Sequence, residues 1–314
     1  MRGITDPILS SLSLAGLMIF CVLLLSSALI EFLSRHIISF NITELKDRVR
    51  AWWIMAFFFF AAVVVNRSIT IIFFALLSFM VFKEFVTILD TRRADHRALF
   101  WAFLCIPAQY YFVSIGWYGM FIIFIPVYMF LFIPIRLVLT EEPKGFLSST
   151  SAIQWGLMAF VFGLSHLAFL SKMPAINSGR VNGATLLLFL VIATEMNDVF
   201  QYLWGKAVGR RKIIPGVSPK KTSEGFWGGV ITTTLCSLFL RFLTPFNVEE
   251  TLFFGFIIGV LGFFGDVVMS AIKRDVGIKD FSNFIPGHGG ALDRADSLCY
   301  TAPIFFHLVR YFYY

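Results

Sequence analysis

The sequence predicts an all-α polytopic membrane protein with about ten transmembrane helices. Three observations carry that expectation. Of 314 residues, 58% are hydrophobic and 14% charged, whereas a soluble domain has roughly 45–50% apolar and about 25% charged residues. The apolar residues gather into ten runs, most of them near the ~20 residues a helix needs to cross a ~30 Å hydrocarbon core. The connections between runs alternate between basic and nearly uncharged. Such a composition excludes a water-soluble enzyme, a disordered chain, a collagen-like chain and a disulfide scaffold.

The first run, 9–33, reads as an uncleaved span. No strong basic stretch precedes it, no small-residue cleavage site follows, and bulky Phe20 before Cys21 argues against a lipoprotein box. The second, 51–65, is short and is joined to the third, 69–89, by Asn66-Arg67-Ser68 alone. That pair is expected to be a tight hairpin or a re-entrant element. Lys83-Glu84 closes the third run and reads as a snorkelling pair. Runs 98–114, 117–139 and 152–170 follow, then 182–204, 226–243, 251–268 and 297–314. Cys21, Cys105, Cys236 and Cys299 sit far apart inside apolar runs, as small buried hydrophobes rather than ligands or bridges.

Lys and Arg segregate sharply. Eighteen fall in segments 34–50, 90–97, 140–150, 205–225 and 269–296, and four in the opposite set of connections and the N-terminus. The remaining four, Lys83, Arg136, Arg241 and Arg310, lie inside runs. The positive-inside bias puts the first set in the cytoplasm and both termini outside. It also accounts for the net charge of +7 without nucleic acid. Residues 1–170 then form a helical scaffold. Residues 171–314 form a second region, expected to carry the chemistry, with cytoplasmic loops 205–225 and 269–296.

Polar chemistry concentrates in 195–297. Glu195, Asp198 and Gln201 or Tyr202 recur at three- and four-residue spacing, so they share one helix face. Intramembrane carboxylates normally face a partner or an aqueous cavity. Ser218-Pro219-Lys220-Lys221-Thr222-Ser223-Glu224-Gly225 opens the eighth helix, whose free N–H groups and dipole favour a phosphate. The alternative for that stretch is contact with anionic headgroups. Asp266 ends the ninth run, with Ser270, Lys273 and Arg274 on one face beyond it. After Lys279-Asp280, the Pro286-Gly287 and Gly289-Gly290 pairs force a turn with close backbone approach, leading into Asp293, Arg294 and Asp296. Asp266, Asp293 and Asp296 beside Lys and Arg have the makings of a magnesium–phosphate site, in which water and phosphate oxygens complete the coordination. A salt-bridged loop is the alternative. His288, between glycines, is open to three roles: acid–base catalyst, ligand contact or loop ordering.

At these residues the sequence resembles the phosphatidate cytidylyltransferases, or CDP-diacylglycerol synthases. The family pattern reads here Ser270-x2-Lys273-Arg274-x4-Lys279-Asp280, then Pro286-Gly287-His288-Gly289-Gly290-x2-Asp293-Arg294-x-Asp296. Ser218-Pro219-Lys220-Lys221-Thr222, Asn197-Asp198 and Gly265-Asp266 look like the family's as well. The likeness is clear over about 195–300 and earlier rests on hydropathy. Two places depart from it: Val199-Phe200-Gln201-Tyr202 after Asn197-Asp198, and Ser223 after Lys-Lys-Thr. Neither touches the carboxylates.

The resemblance implies that phosphatidate attacks the α-phosphorus of CTP in a bacterial inner membrane, at its cytoplasmic face. It implies Mg2+ on Asp266, Asp293 and Asp296, with K+ or a second Mg2+ as an optional second cation. Lys273, Arg274 and His288 join the two carboxylates Asp266 and Asp293 as expected catalytic residues. Asn197, Asp198, Ser218, Lys220, Lys221, Thr222, Ser270, Lys279, Asp280, Gly289, Gly290 and Arg294 are expected to bind substrate. Partners would be CTP, phosphatidate or a related lipid phosphate, membrane lipid, and a second copy in a homodimer. The rivals are a CTP-dependent lipid kinase, a cytidylyltransferase for another lipid phosphate, and a transporter. A transporter would spread its carboxylates through the depth of several helices, whereas here they gather at one end.

Overall fold

The computed structural model describes residues 7–36, 42–176, 181–282 and 289–314. Among them no strand forms; two isolated bridges pair Ile176 with Val181 and Lys212 with Thr222. Among the described residues ten long helical segments follow the ten apolar runs, with a short 3-10 turn at Arg241–Leu243. They are α1 Pro7–His36, α2 Ile42–Val65, α3 Arg67–Ile88, α4 Asp95–Ile115, α5 Tyr118–Val138, α6 Phe146–Ser171, α7 Gly183–Val208, α8 Ser223–Ser237, α9 Val248–Asp275 and α10 Leu292–Tyr313. Single π-helical stretches interrupt α5 at Phe124–Met129, around Pro126, and α6 at Leu157–Gly163.

Eight of the described helices are long and apolar enough to cross a bilayer, which makes this an integral membrane protein. The two exceptions are α8, with 15 residues, and α10, whose first turns carry Asp293, Arg294 and Asp296. The second span is longer than its hydropathy suggested. Its helix begins at Ile42, and the stretch Leu45–Val65 of 21 residues qualifies as a span. Charged residues at 44–50 lower hydropathy without breaking a helix, so α2 and α3 form a full hairpin. The chain turns at Asn66, whose side chain accepts the Ser68 N–H at 2.9 Å, satisfying one of the free donors of α3.

The helices differ in depth. In α6, 72% of the most apolar stretch is buried, against 11% in α1 and 17% in α2. The bundle therefore wraps α6 and leaves α1 and α2 at its edge. Around α6 lies an aromatic core in which Phe121 meets Phe162, His166, Phe169 and Phe306. Buried His166 donates from Nδ1 to the Phe162 carbonyl at 2.8 Å, so its Nε2 is the acceptor for His307 Nε2 at 3.2 Å.

The last four helices position the polar residues. Helix α7 begins with a reciprocal cap between Asn182 and Thr185, and α9 with another between Asn247 and Glu250. Helix α8 packs on both α7 and α9, and α9 packs on α10. Asn197, fully buried, ties three of them: its amide donates to the Gly259 carbonyl at 3.2 Å and its oxygen accepts from Thr233 at 3.3 Å. Gly265 lets α10 come close. A Cβ there would lie 2.8 Å from the Asp296 carbonyl oxygen and 2.9 Å from the Ser297 Cα.

Candidate active site

The close approach at Gly265 sets carboxylates from three helices against one another. Asp198 on α7 and Asp296 on α10 each interact electrostatically, as like charges, with Asp266 on α9 and with each other. The Ser297 hydroxyl is placed to donate to Asp198 at 3.0 Å or to the Gly262 carbonyl at 3.1 Å. Asp266 accepts from Ser270 at 3.2 Å and pairs with Lys221 at 2.6 Å. Arg294 acts electrostatically on both Glu195 and Asp296, and its buried Nε has no hydrogen-bond partner among the described residues.

Beside this cluster opens a cleft of about 480 Å³, within the size range of small-molecule sites. Lys206, Lys212, Lys220 and Lys221 line it together with Ser218 and Thr222, and Asp198 and Asp266 reach it from α7 and α9. Tyr202, Phe226 and Phe263 supply apolar surface, and the Lys221 ammonium sits 4.7 Å from the centre of the Phe263 ring.

The loop before α8 is held in shape by its own backbone. Ser223 N–H donates to the Arg211 carbonyl, Ile213 N–H to Lys221, and Lys221 N–H to Ser218. Thr222 caps α8 by accepting the Gly225 N–H at 3.1 Å. Glu224 accepts the Arg210 and Arg211 N–H groups, chiefly that of Arg210, and these hold its carboxyl below the usual range. Arg274, expected at the reacting groups, instead spans from α9 to this loop. It donates to the Val217 carbonyl at 3.3 Å and to Ile278 at 3.1 Å.

The signature loop differs from expectation at Asp293. Its Oδ1 pairs with Lys273 at 2.8 Å, and its Oδ2 accepts the Phe281 and Gly290 N–H groups at 3.0 and 2.9 Å. The carboxylate thus organises the turn, because the glycine-rich loop folds back and delivers two backbone donors to it. Gly289 is dictated by its backbone, and Gly290 is closely packed by side chains. Gly289 has φ +82°, and a Cβ there would lie 2.7 Å from Asp293 Oδ2. A Cβ on Gly290 would press against Glu84 Oε2. Lys279 and Asp280 are exposed, and His288 lies outside the described residues.

The structure therefore does not bring Asp266, Asp293 and Asp296 together as one cage. Among the described residues no group of three or more His, Cys, Asp or Glu side chains is close enough to hold a metal alone. Asn197, expected at the substrate, is buried as a tie between helices. Lys206 and Lys212 were not singled out from the sequence. Lys206 stands eight residues after Asp198 and four after Tyr202, so helical periodicity alone puts it on their face. Glu84 is not a snorkelling partner of exposed Lys83. Its Oε1 accepts from the Ser282 hydroxyl at 2.7 Å and the Ala291 N–H at 3.0 Å, and its Oε2 accepts the Leu292 N–H at 2.8 Å.

Comparison with known proteins shows the family to which the chain belongs. Residues 46–312 match the Cytidylyltransferase family. The chain is 44% identical over 294 residues to the uncharacterized protein YnbB of Escherichia coli (strain K12), covering 93% of this chain and 96% of that one. It is 43% identical over 120 residues to the phosphatidate cytidylyltransferase of Aquifex aeolicus (strain VF5), 38% of this chain and 45% of that one. With the phosphatidate cytidylyltransferase of Staphylococcus aureus (strain COL) the identity is 36% over 127 residues, 40% of this chain and 49% of the relative. The match thus spans about half the length of these two named enzymes.

Proposed function

This chain belongs to the cytidylyltransferase family, and on that footing we propose that it makes CDP-diacylglycerol and pyrophosphate from CTP and phosphatidate. One observation carries the reading: four lysines and two hydroxyls share a cleft with the Asp198 and Asp266 carboxylates. That is the composition needed to hold a triphosphate next to a cation.

Phosphoryl and nucleotidyl transfers depend on positioning and charge neutralisation more than on covalent help from the protein. Lys206, Lys212, Lys220 and Lys221 bind the triphosphate, with Ser218 and Thr222 donating to its oxygens. The lipid's phosphate monoester oxygen forms a bond to the α-phosphorus. The bond from that phosphorus to the oxygen bridging the β-phosphate breaks, and pyrophosphate leaves with the electron pair. Arg294, whose Nε has no hydrogen-bond partner among the described residues, receives a phosphate oxygen of the lipid. Lys273 and Asp293 hold the turn that carries Arg294.

The donor set fits Mg2+, because hard carboxylate oxygens of Asp198 and Asp266 share the cleft with the phosphate-binding lysines, and Asp296 interacts with both as a like charge. Asp198 and Asp266 would hold the ion, with water and phosphate oxygens as its other ligands and Asp296 as a further negative charge nearby. Bound there, Mg2+ would neutralise charge developing on the reacting phosphates. The bias of Lys and Arg toward the loops on the cleft side supports a cytoplasmic site in a bacterial inner membrane. CTP reaches it from the cytosol while the acyl chains of phosphatidate stay in the bilayer.

The test is to incubate purified protein with CTP labelled at the α-phosphorus, Mg2+ and phosphatidate. Label entering the lipid, with pyrophosphate released in equal amount, is the expected result. Label recovered only in CDP would identify a lipid kinase and overturn the proposal.

A further inference from the structure

Helix α10 carries the densest set of site residues, yet it lacks a cap of its own. Its N-cap position is Ala291, which makes no side-chain cap hydrogen bond, and alanine is among the poorest residues there. The free N–H groups of a helix start need partners. Here two of them are met from 207 and 208 residues away in sequence, by Glu84 near the end of α3. The same carboxylate accepts from the Ser282 hydroxyl, so one side chain grips both sides of the signature loop. A negative group at a helix N-terminus is also favoured by the helix dipole.

We infer that Glu84 is a positioning residue for the transfer reaction, a role that rests on the function proposed above. By capping α10 it fixes the helical turn carrying Asp293, Arg294 and Asp296. It also explains why residue 290 is glycine. The Cβ of any other residue would press against Glu84 Oε2 and lie 2.8 Å from the Ser282 hydroxyl, inside the space those hydrogen bonds require. The first half of the chain thereby sets the geometry of a site whose reacting residues all lie in the second half.

Two measurements test this. In Glu84→Gln an NH2 group replaces one oxygen, so a donor faces a backbone donor. Per folded molecule, kcat for label transfer falls about 10–100-fold, the usual cost of removing a group that orients a functional side chain. The KM for CTP stays within about twofold of the parent value, because the hydrogen-bond partners of Glu84, Ser282, Ala291 and Leu292, are not among the residues lining the cleft. Mere loss of stability would reduce the amount of folded protein and leave kcat per folded molecule unchanged.

The second measurement is a double-mutant cycle in thermal unfolding, comparing Gly290→Ala in the parent and in Glu84→Ala. The drop in Tm caused by Gly290→Ala should be at least halved when Glu84 is absent. Equal drops in both backgrounds, or a Glu84→Gln kcat within twofold of the parent, would overturn the inference. If the parent protein transfers no label at all, it is the proposed function that fails, and the cycle still reads the Glu84–Gly290 contact.

Discussion

Gly265→Ala probes the spacing on which the site depends. The added Cβ would meet the Asp296 carbonyl oxygen at 2.8 Å and the Ser297 Cα at 2.9 Å. Both are backbone atoms of α10, so no rotamer change relieves the contact. Restoring an ordinary separation of about 3.5 Å requires α9 and α10 to part by about 0.6–0.7 Å. Ser297 reaches Asp198 at 3.0 Å and Gly262 at 3.1 Å, and a retreat of that size takes both beyond good hydrogen-bond length. Overpacking of this kind costs about 1–3 kcal/mol of stability. Its effect on rate is larger, since a displacement near 1 Å in a positioned site costs about a hundredfold. The assay is transfer of label from CTP to lipid in detergent micelles, with folded protein counted by size-exclusion chromatography. Gly216→Ala is the control, because a Cβ at 216 meets nothing within 4 Å and should leave the rate unchanged. A Gly265→Ala enzyme with parental kcat and KM would refute the reasoning that helix spacing at this glycine sets the alignment of the carboxylates.

Asp266→Asn should reduce transfer by about a hundredfold or more, as when a main stabiliser of transition-state charge is lost, while the protein remains monodisperse; near-parental turnover would remove Asp266 from the metal assignment. Asp293→Ala breaks a buried ion pair with Lys273 and should lower stability by about 3–5 kcal/mol, read by SDS titration in mixed micelles. Lys220→Ala should raise the KM for CTP with little change in kcat, since its cleft position binds phosphate charge in ground and transition states alike; unchanged CTP dependence refutes that role. A cysteine at position 216, in a chain otherwise free of cysteine, should resist impermeant thiol reagents applied to intact cells. Ready labelling from outside would invert the orientation.

The helices were largely legible, because apolar runs of spanning length have few alternatives in a chain of this composition. The start of α2 was not, since Glu44, Lys46, Asp47, Arg48 and Arg50 lower hydropathy while leaving helix formation intact. In the site, the carboxylates at helix ends could be read from spacing, and Asp198 and Asp266 do share a cleft with Lys220 and Lys221. The behaviour of Asp293 was hidden, because its partners are the N–H groups of Phe281 and Gly290 and no residue type announces a backbone donor. Arg274 reads as a phosphate ligand by charge alone, yet it bonds to the Val217 and Ile278 carbonyls. Glu84 escaped for a different reason. Capping rules look within a few residues of a helix start, and this cap comes from another helix.

The contact between His166 and His307 bears on how the chain matures. Translation delivers α6 to the bilayer well before α10 exists, so for that interval the His166 Nε2 acceptor has no imidazole opposite it. A polar ring nitrogen without a partner is tolerated poorly in a bilayer, and among the described spans α6 has the largest buried share. The nascent half-protein is therefore an unfinished object, enclosed only when its last helix arrives. A chain cut after Ser171 should accordingly be a substrate for membrane quality-control proteases rather than a stable product.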